Sequence, residues 1–127
     1  VTTLADPILT PGTLAPGVTV AMLAKSGYTR TIRPNRIVSA RMKLKAMKLY
    51  GIPRRRLFSY TGDHLIALEN GGAPGSVTDL TNYWPQPKAE ALLKDQQENT
   101  FHKCIVNGQL TIEEAAATVR LLWMSWP

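Results

Sequence analysis

Apolar and polar positions alternate along the chain in a way that sorts it into helices, short strands and loops. From Ile37 to Tyr50, Ile37, Ala40, Leu44 and Met47 recur at three- and four-residue spacing, while Arg41, Lys45 and Lys48 follow the same spacing on another face. This pattern predicts an amphipathic helix, with Gly51 and Pro53 as its stops. Thr19 to Lys25 reads as a short helix ending before Ser26-Gly27. Tyr28 to Arg33 alternates like a strand and is halted by Pro34. After a basic turn, Arg54-Arg55-Arg56, the stretch Leu57–Tyr60 reads as one strand and His64–Leu68 as a second. A long loop follows, marked by Asn70-Gly71-Gly72 and Pro74-Gly75.

Pro85 and Pro87 precede the longest expected helix, Lys88 to Val106, with Gly108 as its stop. Thr111 and Glu114 form a capping box, in which hydroxyl and carboxylate satisfy orphan amides reciprocally. That box starts a last helix reaching to about Trp123. Residues 1–17, punctuated by Pro7, Pro11, Gly12, Pro16 and Gly17, read as an extended arm that packs loosely. Residues 18–127 are expected to form one domain. The class is α+β: a two-stranded hairpin packed on the Lys88–Val106 helix, with a basic helix before it and another helix after it.

The chain has 127 residues, 44% of them hydrophobic and 19% charged, which suits one compact domain with its own core. No apolar run approaches the roughly 20 residues that span a bilayer. A single cysteine, Cys104, excludes an internal disulfide and a cysteine zinc cluster. The bland use of that thiol is as a small buried hydrophobe, and its solitude favours a reducing compartment. Net charge is +6, and its distribution says more than its sum. Between Arg30 and Gly62 there are ten Lys/Arg and no acid. Such a block suits a polyanion, nucleic acid by default, although a solvated helix face beside a basic loop would look the same.

Two histidines could carry chemistry. His64 follows Asp63 directly, and on a strand the two would point to opposite sides unless the chain bends there, which Gly62 permits. On the long helix Asp95, Glu98, Asn99 and His102 fall within about one third of the circumference. Leu93, Phe101, Cys104 and Ile105 occupy the other side. Carboxylate, amide and imidazole ligands suit a divalent ion. A histidine titrating near neutrality can take a proton from water. Each feature taken singly also fits an ordinary surface pair or a solvated polar face.

Three segments stand in order: Asp63-His64-Leu65-Ile66-Ala67-Leu68-Glu69-Asn70-Gly71-Gly72, Asn82-Tyr83-Trp84-Pro85-Gln86, and Lys94-Asp95-Gln96-Gln97-Glu98-Asn99-Thr100-Phe101-His102. They resemble the DHLIPLELGG, NLWPQ and KD-x-x-EN-x-LH segments of a bacterial family of HNH-endonuclease-like proteins. Gly27–Pro34 is similar to its GYTKTVRP, and the likeness runs from about Thr10 to Trp123. It implies a ββα-metal finger that hydrolyses phosphodiester bonds in DNA with low sequence specificity.

In that scheme His64 is the general base and Asp63 the first metal ligand. Asn82 orients the histidine or braces its loop. The helix supplies further ligands from Asp95, Glu98, Asn99 and His102. Asp95 and His102 rank first, although they lie two helical turns apart. Mg²⁺ or Mn²⁺ is the implied ion, with Zn²⁺ or Ni²⁺ as alternatives. Arg41, Lys45, Lys48, Arg54, Arg55 and Arg56 would hold the DNA backbone, with no membrane partner. Three departures stand out: Ala24 and Val106 where relatives carry cysteines, Ala67 for a usual proline, and a shorter Pro87–Leu93 segment. The family's cysteines imply secretion, against the compartment that one cysteine favours. The alternative function is a nucleic-acid-binding module that keeps this fold without catalysis.

Overall fold

The computed structural model describes residues 4–126; residues 1–3 of the expected arm lie outside them. Its elements are α1 (Val20–Ala24), α2 (Tyr28–Ile32), α3 (Arg36–Leu49), β1 (Tyr60–His64), β2 (Tyr83–Pro87), α4 (Ala91–Val106) and α5 (Ile112–Trp123). Short 3₁₀ turns cover Arg54–Ser59, Leu68–Asn70 and Lys88–Glu90. The class is α+β, with one two-stranded antiparallel sheet among the described residues. No helix of the described residues is long and apolar enough to cross a membrane.

The strands differ from the sequence expectation. Leu57–Ser59 continues the basic 3₁₀ turn, β1 starts at Tyr60, and the chain past His64 leaves the sheet. The partner of β1 is β2, which two prolines concealed. Register explains why those prolines are tolerated. Leu65 N donates to Asn82 O at 2.9 Å, continuing the pairing Asp63↔Trp84 and Thr61↔Gln86. The intervening pairs, Gly62↔Pro85 and Tyr60↔Pro87, are then the non-hydrogen-bonded ones, where a missing N–H removes no ladder bond.

Side-chain alternation gives the sheet two unlike faces. His64 and Tyr83 lie on one side, where Tyr83 joins Met42, Ala46 and Leu80 under α3. Asp63 and Trp84 lie on the other, where Trp84 packs with Ala5, Leu65, Val119, Trp123 and Met124. Tyr83's ring crosses β1 at Gly62, and a Cβ built on Gly62 would land on its hydroxyl.

Two helices depart from expectation. Tyr28–Ile32 is helical, not a strand: Gly27 at φ 84° turns the chain into it, and Arg33 N closes on Thr29 O at 2.9 Å. Alternation over six residues does not reveal whether a strand edge is available, and here none is paired to it. In α3, capped by Asn35 on Val38 N at 2.9 Å, the inward residues are Met42, Ala46 and Met47. Ile37 is 70% exposed, so the expected stripe is rotated: the row meeting Leu80 and Tyr83 runs Val38, Met42 and Ala46.

The arm is strapped down. Ala5 is buried and exchanges backbone bonds with Trp123 and Ser125, at 2.8 and 2.9 Å. Arg120 donates to the carbonyls of Pro11 and Gly12, both at 3.0 Å. Between Leu4 and Val18 the only charged residue is Asp6, so little opposes burial. The last helix is as expected, its capping box closed in both directions at 3.0 Å and its buried row running Ile112, Ala115, Ala116, Val119 and Trp123.

Gly62→Ala is expected to push Tyr83 from its place across β1. Overpacking of this kind costs about 1–3 kcal/mol, to be read as a lower urea midpoint at unchanged slope. A wild-type midpoint would show that the ring yields freely.

Candidate functional site

The end of β1, the loop beyond it and the first half of α4 enclose a cleft of about 350 Å³. Thr29, Arg33, Asp63, His64, Asp95 and Asn99 line it, with Glu69 and Glu98. Helical winding of α2 is what brings Thr29 and Arg33 there, four residues apart on one face.

His64 Nε2 lies 2.8 Å from the carbonyl of Pro74. A carbonyl only accepts, so Nε2 carries the proton and Nδ1 the lone pair. Its ring meets Tyr83 edge-on, 5.1 Å between centroids. Burial lowers its pKa; the Pro74 bond and Asp63 oppose this, while Arg33 and Lys94 add to it. At neutral pH the imidazole is therefore held neutral.

Asn82 sets the loop that supplies Pro74. Its Oδ1 accepts from Ile66 N at 2.9 Å, and its Nδ2 donates to Ile66 O at 3.0 Å and Ala73 O at 2.9 Å. Both ends of the loop are thus tied to one buried amide, one residue from the carbonyl that holds His64.

Asp63 points the other way, to Lys94. The Lys94 ammonium lies 2.8 Å from Asp63 Oδ2 and 2.8 Å from Glu98 Oε2, and donates to the carbonyls of His64 and Leu65 at 3.0 and 2.9 Å. Lys94 is 1% exposed. Burial alone would lower its pKa, but the two carboxylates outweigh that and hold it above its ordinary value. Glu98 is pushed up to about 7 by burial, against the pull of Lys94.

The residues singled out from sequence fall into three groups. Asp63, His64, Asp95, Glu98 and Asn99 share the cleft, and Asn82 supports it from beneath. His102 is not brought there. Its Nδ1 donates to Glu69 O at 2.7 Å, and its ring borders a neighbouring hollow with Leu23 and residues 24–29. The ligand set Asp63, Asp95 and His102 is therefore not assembled, and among the described residues no three His, Cys, Asp or Glu side chains are placed to hold a metal together. Arg41, Lys45, Lys48, Arg54, Arg55 and Arg56 are exposed on α3 and the 3₁₀ turn. Lys45 reaches Val77 O at 2.7 Å, and Arg56 stacks over Tyr60. The arginine turn enters β1 at Tyr60, so the strand carries it roughly 13 Å from His64 at about 3.3 Å per residue.

Lys94 and Arg33 had no role from sequence. Lys94 begins the inward row of α4 that continues through Glu98, Phe101 and Ile105, the position given to Leu93, which is exposed. A Lys–Glu pair at i, i+4 was the available signal, but in a helix it usually means solvent. Comparisons of the chain with family models, curated proteins and solved structures found no match.

The shifts of His64 and Glu98 act on stability with opposite signs. A lowered histidine makes the folded state resist protonation, so stability present above about 6.5 is lost as pH falls. A raised Glu98 stabilises the fold fully below 4.5, and that contribution is lost as pH rises through about 7. Glu98→Gln should therefore leave stability climbing with pH up to about 6.5, and His64→Asn should leave it falling between 4.5 and 7. Urea melts of the two variants across this range check the signs. Identical slopes would rule out opposed titrations.

Proposed function

We propose that the chain is an HNH-type endonuclease that hydrolyses phosphodiester bonds in DNA with little sequence preference, with His64 as general base. The observation that carries this reading is the His64 imidazole, clamped through Nε2 by a loop that Asn82 braces, on the rim of a polar cleft. The order strand, strand, helix and the resemblance of the Asp63, Asn82 and Lys94 segments support it.

Charge decides what else the reaction needs. Asp63, Glu69, Asp95 and Glu98 outnumber the two cations at the cleft, Arg33 and the Lys94 ammonium behind it, so a phosphate entering alone meets net repulsion. Zn²⁺ and Ni²⁺ sites draw three or four ligands from protein side chains, and that set is missing among the described residues. Mg²⁺ and Mn²⁺ fit better, because such hard ions take one or two carboxylates and complete their shell with water and substrate oxygens. Asp95 and Asn99, one helical turn apart on the cleft wall, and the Asp63 oxygen turned from Lys94 would hold the ion. Bound there, it would neutralise charge on the phosphate.

The chain's own groups do the rest. His64 Nδ1 takes the proton of the attacking water as its oxygen adds to phosphorus and the bond to the leaving oxygen breaks. Arg33 meets a non-bridging phosphate oxygen. Arg41, Lys45, Lys48 and the Arg54–Arg56 turn hold flanking backbone, contacts that carry no sequence information. A binding module without catalysis is the second reading, favoured by one observation: Lys94 already occupies Asp63 Oδ2 and Glu98 Oε2.

Plasmid nicking in a panel of divalent ions separates the two. His64→Ala should lose about 10²–10⁴-fold in rate while duplex affinity stays within twofold. Arg33→Ala should raise KM and lower the salt dependence of binding. Salt-sensitive binding with no cleavage in any ion would leave the binding module standing. A His64→Ala chain with wild-type activity would remove His64 from the chemistry.

A further inference from the structure

We propose that Lys94 is the resident cation and the positioning residue of the site: its ammonium fills an oxygen cage at the junction of β1 and α4, keeps a divalent ion out of it, and fixes the backbone that carries His64. The cage has four walls, Asp63 Oδ2, Glu98 Oε2 and the carbonyls of His64 and Leu65, all 2.8–3.0 Å from Nζ. An ammonium has three hydrogens: Glu98 and the two carbonyls take them, and Asp63 Oδ2 adds an ion pair.

The distances identify the occupant. Charge-assisted N–H···O contacts run about 2.7–2.9 Å, whereas Mg²⁺ takes oxygens at about 2.0–2.1 Å and Ca²⁺ at about 2.3–2.6 Å. A divalent ion would need the cage to contract by several tenths of an ångström and would have to evict a side chain that is 1% exposed. Sequence alone places a metal between Asp63 and the α4 face; this chain places a lysine from that same face there. Any divalent ion in the cleft is left with the outer donors, Asp95 first.

Two walls are main-chain carbonyls of the candidate base and the residue after it. The ammonium therefore grips the backbone of His64 from the Asp63 side of the sheet, while Pro74 grips its ring from the loop. Only the positional role rests on reading His64 as the base, and neither readout below involves cleavage.

Lys94→Ala in the full chain removes the cation and leaves a cavity the size of a propylammonium ion. Its melting temperature should fall on the order of 10 °C, as expected when a buried ion pair loses one partner. Propylammonium chloride at tens of millimolar should recover part of that loss, and 1-propanol, equal in shape but uncharged, should not. Mn²⁺ should then raise the melting temperature of Lys94→Ala more than that of the wild type. The double variant Lys94→Met, Glu98→Gln keeps the bulk and removes both charges of the α4 pair together, leaving only the Asp63 carboxylate, whose side chain is 21% exposed. In it the ¹⁵N shifts of the His64 ring should move away from the Nε2-protonated pattern of the wild type. Equal responses to propylammonium and propanol would overturn the resident-cation assignment, whether or not the double variant folds. Unchanged His64 ring shifts in a folded double variant would overturn the positioning role.

Discussion

A lysine ammonium held at 2.8–3.0 Å by two carboxylates and two carbonyls, with its side chain 1% exposed, is the contact on which the rest of the structure turns. Taking one charge out of water costs several kcal/mol, and an uncompensated one is not tolerated. Each member of the cluster is thus tied to the others: Lys94 is buried because Asp63 and Glu98 are there, and Glu98 is buried because Lys94 is. Breaking such a set by removing one partner typically costs about 3–5 kcal/mol, a large share of a small domain's stability. The cluster also bonds α4 to the end of β1, beside the apolar contact of Phe101 with the core that holds Trp84 and Leu65.

With α4 fixed in this way, the loop between the strands has little freedom left. Asn82 closes it through three bonds, and Gly72 passes so near the Ile66 carbonyl that a Cβ there would collide with it. The arm adds two more ties, Ala15 N to Gly71 O and Ala73 N to Thr13 O, both at 2.9 Å. A segment rich in glycine and proline, which alone would be mobile, thereby delivers the Pro74 carbonyl to one ring nitrogen. Preorganisation of this kind is what a general base requires, because a neutral imidazole in the wrong tautomer or orientation cannot accept the proton.

Legibility in the sequence followed the reach of each signal. Local signals held: the Thr111–Glu114 box and the Gly51 and Gly108 stops lie where the chain puts them, because each acts within one turn. Non-local signals failed. The partner of β1 lies more than twenty residues away, behind prolines that only the pairing register excuses. The inward face of α4 begins with a lysine and a glutamate, so a search for apolar positions finds Phe101 and Ile105 but takes Leu93 for the position that Lys94 fills. The pair Asp63-His64 and the bracing asparagine were readable from motif order. His102 was placed with them by helical angle although it lies two turns from Asp95, and those two turns carry it past the cleft to Glu69.

The sheet itself resolves how Asp63 and His64 serve one place without a bend between them. Within β1 they do point to opposite sides, His64 toward Tyr83 and α3, Asp63 toward Lys94 and α4. The sheet, however, is only two strands wide and β1 ends at His64, so a cleft at the strand's end reaches around both faces. Alternation then becomes useful. The imidazole packs against Tyr83, where burial lowers its pKa, and the Asp63 carboxylate lies on the other side beside the Lys94 ammonium. Had both faced one side, Asp63 would have drawn a proton onto His64 and removed the lone pair that a base must offer. Separation by a single strand thus gives the two groups different surroundings, and the chemistry proposed for the two-residue motif depends on where the strand stops.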